Sequence, residues 1–299
     1  MLDSCTITRS VEQLADTAEI VLPGSCFNKA IEIEKQIKRG DVVTIMAGYD
    51  GKNEIEFSGY LEAIATDDGS ITLKCEDGIF EFRKPIADKE FTSPDVKDLL
   101  QYACDQIGGY SLNCDYSFKY DKFVVKGSTG YDLLKKIQEE CKANIYLKEK
   151  ALHVHPQYKE ISGTAKYSFQ DNIEESELEY KIAEDRPFEC TVEGKGADGK
   201  VIRATAGKKG GDCETIKRDG VSDVASLQAL ADEVVKHRSY TGYSGSFTGW
   251  LAPRCDAGYK VSISDADYEY KDGEYYVLEV VTKIGSSGGG REVKIGAKI

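Results

Sequence analysis

"RGDVVTIMAGYDGKNEIEFSGYLEAI", Arg39 to Ile64, and "AGYKVSISDADYEYKDGEYYVLEVV", Ala257 to Val281, share one plan. Each alternates apolar and polar residues around a polar turn, with Asp50-Gly51 in the first and Asp272-Gly273 in the second. A period of two is that of a half-buried strand, and Asp-Gly is a hairpin signal. With Gly40 set on Gly258, Val43 falls on Val261, Ile45 on Ile263 and Phe57 on Tyr275. The turns match in character though not in position. One residue of slippage then brings Leu61-Glu62 onto Leu278-Glu279 and places Leu73 near Val293 or Ile295. A single extra residue is what a β-bulge absorbs. The repeated hairpin predicts two similar β-domains in one chain.

The residues around the first hairpin extend the pattern. "SCTITRS" and "AEIVLP" precede it, "SITLKCED" follows, and Asp68-Gly69 marks a further turn, so residues 1–88 read as a small β-barrel. The character changes near Pro85. In "SPDVKDLLQYACDQIGG", Ser93 is placed to cap a helix, Pro94 suits its first position and Gly108-Gly109 ends it. Val96, Leu99, Leu100, Ala103 and Ile107 make one apolar face. "STGYDLLKKIQEECKA" is a second helix with Tyr131, Leu134, Ile137 and Cys141 along a stripe, and "NIYLKEKALHVHP" is a hairpin. Residues 89–160 thus read as a small α/β module. Residues 161–299 return to β and read as a second barrel with one inserted helix at about 223–238, faced by Val224, Leu227, Leu230, Ala231 and Val234. Within it, "KKGGDCETIKRDGVSD" reads as an exposed loop and Asp198-Gly199 as a turn. The fold class expected is mixed α+β, mainly β, with two tube-type barrels flanking the α/β module.

Composition narrows the function. The 299 residues carry a net charge of -13, which argues against a surface built to bind nucleic acid. It does not argue against a surface that nucleic acid must pass without sticking, and acidity that simply aids solubility fits at least as well. No apolar run approaches a membrane span, and "MLDSCTITRS" has neither the basic nor the apolar region of a secretory signal. Nine cysteines without a CxxC pair make a poor disulfide framework, so they are read as reduced thiols of a chain made in a cytoplasm.

Three stretches together carry a family resemblance. "GDVVTIMAGYDGKNEIEFSGYLEAI" with "SITLKCEDGIFEFRKP" resembles the first tube domain of phage baseplate hub proteins of the late control gene D type. "VVKGSTGYDLLKKIQEECKANIYLKEKALHVHP" is similar to the segment that follows it there, and "GYKVSISD", "YYVLEVVTKI" and "REVKIGAKI" are similar to the second tube domain. The resemblance covers nearly the whole chain and rests on spacing and strand pattern. It implies a structural protein of the virion tail baseplate, a homotrimer whose paired barrels form a pseudo-hexameric ring. That ring joins a sixfold tail tube to a threefold spike, in phage tails and related injection machines. The expected partners are the tube protein, a separate spike protein and other baseplate proteins. "GSSGGGR", residues 285–291, is read as a hairpin loop rather than a fibrous spike repeat. The resemblance carries over no catalytic, cofactor-binding or metal residues, and no enzyme activity is expected. The alternative is a soluble glycan-binding or cell-wall-acting module.

Each chemical candidate has a plainer reading beside it. His153 and His155 in "LHVHP" share one strand face and could hold a metal, but spacing implies no third ligand, and solvent exposure explains them. Cys141 with His153 could be a nucleophile pair, yet Cys141 continues an apolar stripe. The acidic "DNIEESELEYKIAED" could supply paired carboxylates for glycan hydrolysis, or a solvated strand face. "GKKGGD", Gly207 to Asp212, lacks phosphate-loop spacing. The tyrosines of "HRSYTGYSGSFTGW" suit either subunit contacts or barrel strands.

Overall fold

The computed structural model describes residues 2–26, 29–30, 33–67, 69–148, 150–196, 198–286 and 288–299. The alternating run Ser4–Ser10 buries Cys5 and Ile7 and so forms a strand with one face on a core. It pairs antiparallel with Thr17–Pro23, and the sheet continues through Ser70–Glu76 and Lys52–Asp67 to Val42–Tyr49. Phe57, Leu61, Ile71 and Leu73 fill the concave side with Cys5 and Ile7. Of the turn read at Asp68-Gly69, Asp68 lies outside the described residues.

The second unit repeats this order. Ile173–Ser176 and Glu179–Lys181 both pair with Gly242–Trp250, followed by Gly288–Lys298, Gly273–Gly285 and Lys260–Ser264. Thr164–Ser168 adds a parallel strand at the end. Tyr167, Phe247, Val261, Ile263, Val277 and Val293 form its core.

The repetition extends to individual hydrogen bonds. Gly40 N–H donates to the Leu61 carbonyl at 2.8 Å and Leu61 N–H to that of Asp41 at 2.9 Å; Gly258 N–H donates to Val277 and Val277 N–H to Tyr259, both at 2.9 Å. Asp41 N–H reaches Lys38 and Tyr259 N–H reaches Asp256, each at 3.1 Å. Gly40 and Gly258 have φ of 93° and 80°, a conformation open to glycine. Both units also carry a bulge at one place, between Leu61 and Ala63 in the first and between Val277 and Glu279 in the second. The register corrects the sequence alignment in detail. Ile45 pairs with Phe57 and Ile263 with Gly273, so Phe57 corresponds to Gly273, and Leu61 to Val277 rather than Leu278. The two hairpin turns differ in length, which periodicity alone does not reveal. Leu73 and Val293 do correspond.

The free edge of Ser4–Ser10 pairs with the second half of Gly273–Gly285, from Ser4 opposite Gly285 to Ser10 opposite Glu279. The two units thereby share one twelve-stranded sheet. The middle segment separates them along the sequence but not in space.

Helix α1 spans Val96–Ile107 and α2 spans Gly130–Cys141. Asp95, not Ser93, caps α1 in a reciprocal box with Asp98, and Thr129 does the same for α2 with Asp132. Ser93 sits outside the helix with a left-handed backbone. Leu99, Leu100, Leu134 and Ile137 meet in the core, backed by the hairpin Ala143–Lys148 and Ala151–Pro156. This core is larger than residues 89–160 alone predict. Phe188–Lys195, Val201–Gly207 and Asp212–Asp219 form a separate three-stranded sheet covered by α3, Val224–Arg238. Its Cys190, Val192, Ile216 and Leu227 join the core of α1 and α2, not that of the second barrel. Two readings change as a result. The segment "KKGGDCETIKRDGVSD" is mostly a strand from Asp212, lying parallel to Phe188–Lys195 with Ile216 buried. Val224 points to solvent, 55% exposed, at the start of α3. One buried apolar residue among the eight of this strand gives too faint an alternation to announce it; its neighbour's backbone supplies the rest.

Candidate functional site

The candidates for chemistry are dispersed. Cys141 is buried, its thiol pushed up to about 12 by burial, and its sulfur lies 3.6 Å from the Tyr120 hydroxyl. His153 stacks instead on Tyr146. The pair is therefore not a nucleophile and its base. The acidic run lies along the strands Ile173–Ser176 and Glu179–Lys181, where Glu174, Glu175, Glu177 and Glu179 are exposed. "GKKGGD" joins two strands of one sheet, with no helix terminus to cradle a phosphate. Tyr240 and Tyr243 belong to the barrel: the Tyr240 hydroxyl donates to the carbonyls of Tyr243 and Gly296, and Tyr243 is buried. His155 departs from expectation, being buried at 2% exposure, and Glu160, a residue no spacing rule singled out, lies beside it.

The surfaces that stand out are strand edges. Ile173–Ser176 and Glu179–Lys181 pair on one side only among the described residues. Beyond Tyr60, the long strand Lys52–Asp67 pairs with Ser70–Glu76, and Ala63–Ala65 carries no second strand among the described residues. Val42–Tyr49 ends the sheet with Val42 73% and Met46 55% exposed, and Ile55 is exposed next to it. Unblunted edges with apolar side chains are templates for further pairing.

A buried ion pair fastens the two units where they meet. The bulge between Ile45–Phe57 and Met46–Ile55 leaves Glu56 unpaired and turns it inward. Its Oε1 lies 2.5 Å from Arg291 Nη2, and the side chains are 3% and 1% exposed. Arg291 Nη1 donates to the Pro253 carbonyl at 3.4 Å. Nearby, Asp256 receives Arg9 at 3.1 Å and Arg254 at 3.7 Å, while the Tyr49 hydroxyl donates to Gly289. The first hairpin is thus held against the second unit by polar contacts.

A cavity of about 440 Å³ opens between α3 and the second barrel, lined by Glu12, Tyr158, Lys181, Glu233, His237 and Lys294 among others. Here His237 stacks on Tyr158 with ring centres 3.7 Å apart. Burial, aided by Lys236, lowers its imidazole to about 4. A histidine held neutral in the fold contributes stability above about pH 6.5, which is lost as pH falls toward about 4 while the unfolded chain takes up the proton. Melting temperatures of the protein and of His237→Asn at pH 7 and pH 5 check this. The drop on acidification is expected to be smaller in the variant by a few degrees, about 1 kcal/mol. Equal drops would refute it.

No protein-family model matches the chain, and no curated protein matches it in sequence. Solved structures do. A 43 kDa tail protein of prophage MuSo2 from Shewanella oneidensis superposes with a TM-score of 0.66 at 14% identity, over 99% of this chain and 94% of that one. This is the fold of phage tail proteins. A tail protein from Neisseria meningitidis gives 0.65 at 14% identity, covering 99% and 92%. An Escherichia coli component of the type VI secretion system, itself described as similar to T4 tail proteins gp27 and gp5, gives 0.64 at 6% identity, covering 100% and 73%. The tail-protein fold agrees with the resemblance to late control gene D hubs read from sequence. The match runs the length of the chain, so the strand edges above belong to a tail-protein fold throughout.

Proposed function

We propose that the chain is the structural hub of a phage tail or tail-like injection machine, three copies closing into a pseudo-hexameric ring without catalytic chemistry. The observation that carries this reading is a pairing made once within the chain and left open at its equivalent place. Ser4–Ser10 in the first unit occupies the position of Glu175–Lys181 in the second: Cys5 faces Ile20 as Ser176 faces Phe247, and Thr8 faces Thr17 as Glu179 faces Ser244. Ser4–Ser10 pairs with Gly273–Gly285 within the chain. The equivalent pairing joins Glu179–Lys181 to Ala63–Ala65, and neither edge carries a second strand among the described residues. Satisfying it between chains repeats the internal seam around an axis, and three chains supply six units.

Such a ring would join a sixfold tail tube to a threefold spike in the virion baseplate, with the tube protein, a separate spike protein and other baseplate proteins as partners. The two barrels supply the ring, and the α/β core with its inserted sheet and α3 lies off it. The net charge of -13 suits a passage that does not retain nucleic acid. Light scattering coupled to size exclusion tests the ring, with a species near three chains expected. A strict monomer at high concentration, alone and with tube protein added, would overturn it.

A further inference from the structure

We propose that His153, His155 and Glu160 form a binding site for a divalent first-row metal ion, zinc in the first instance. The three residues offer ligand atoms that all lie within 4.8 Å of one another. Two imidazoles and one carboxylate are donors suited to zinc, with water completing a tetrahedron.

The surroundings are those of a built site. His153 and His155 project from one face of the strand Ala151–Pro156, with ring centres 5.8 Å apart. His155 is 2% exposed, and its Nδ1 lies 2.9 Å from Asp115 Oδ1. A carboxylate that accepts a hydrogen bond from Nδ1–H fixes the tautomer and leaves the Nε2 lone pair as the ligand. That Nε2 has no hydrogen-bond partner among the described residues and faces Glu160 Oε2 at 3.2 Å. His153 has the Asn113 carboxamide 3.3 Å from its Nδ1 and stacks on Tyr146, whose hydroxyl donates to Glu160 at 3.1 Å. Lys159 pairs with Asp115, so each ligand has a support of its own.

Placement gives the ion a use. Glu160 lies between the strand Ala151–Pro156 of the α/β core and Thr164–Ser168 of the second barrel. An ion held by both strand histidines and Glu160 ties this connection to the core. The rival arrangement is an imidazolium paired with Asp115 and Glu160, which calls for no metal.

Isothermal titration of the metal-stripped full chain with zinc chloride at pH 7.5 distinguishes them. One zinc per chain is expected, weakened about 10–100-fold in Asp115→Asn, which removes a supporting group, and by more in His153→Ala and in Glu160→Gln, which remove ligands. His153 and Glu160 are not buried, so their variants keep the fold; circular dichroism verifies this for each. Absence of stoichiometric zinc binding, or binding equally tight in the His153 and Glu160 variants, as adventitious cysteine ligation would give, overturns the proposal. Neither outcome depends on ring formation.

Discussion

Arg291→Ala is expected to destabilise the protein by about 3–5 kcal/mol, read as a lowered urea midpoint with the α/β core and second barrel otherwise intact. The substitution removes a guanidinium that is 1% exposed and strands the Glu56 carboxylate, 3% exposed, between two units of one sheet. A carboxylate that loses its partner in such a place is left buried without the ion pair that compensated its desolvation. Glu56→Ala should cost a similar amount from the other side. The double variant Glu56→Leu with Arg291→Met is the informative control, because an apolar pair of similar volume removes both desolvation penalties and is expected to recover most of the loss. A cost below 1 kcal/mol for Arg291→Ala would mean that water reaches the pair and that the seam rests on its backbone ladder alone.

Combining Ala65→Cys with Glu179→Cys is expected to give covalent trimers on mild oxidation, resolved by electrophoresis without reductant. In the internal seam Val11 N–H donates to the Leu278 carbonyl, so Arg9 with Val280 is a hydrogen-bonded pair and Thr8 with Val281 is the closer, non-bonded kind. Carried to the open edges through the repeat, the equivalent non-bonded pair is Glu179 with Ala65. Facing residues of that kind come near enough for a disulfide. Both positions are exposed in the single chain, so neither change disturbs a core. Each single variant should remain uncrosslinked. Monomers from the double variant, under conditions where light scattering finds trimers, would place the ring contact on another surface, with Val42 and Met46 the next candidates.

Much of the fold was legible because alternation is a strong signal wherever one strand face is buried. The repeated hairpin could be seen from Gly40 and Gly258, but the slipped residue read near Leu61 came from turns of unequal length, since both units carry the same bulge. The strand Asp212–Asp219 could not, since a central backbone partner held it with one buried isoleucine. Glu56 and Arg291 were equally opaque: a charged residue in a strand reads as solvent-facing, and only the bulge opposite Met46 turns Glu56 inward. The histidines were visible as a spaced pair. Glu160 was not, because its nearness to His155 depends on how the chain leaves the strand after Pro156. No local pattern named the seam either, because the strands that form it lie at opposite ends of the chain.

That distance imposes an order of events during synthesis. Ser4–Ser10 emerges from the ribosome long before its partner Gly273–Gly285. The first barrel can therefore fold against Thr17–Pro23 long before its other edge is covered, and the nascent chain carries an open strand throughout the translation of the α/β core. By the same repeat, the edge at Glu175–Lys181 appears before the second barrel is complete. A chain interrupted before Gly273 would lack the internal seam and could offer neighbours an edge of the wrong parity. In the ring proposed above, pairing between chains therefore follows synthesis of Gly273–Gly285 and closure of the internal seam.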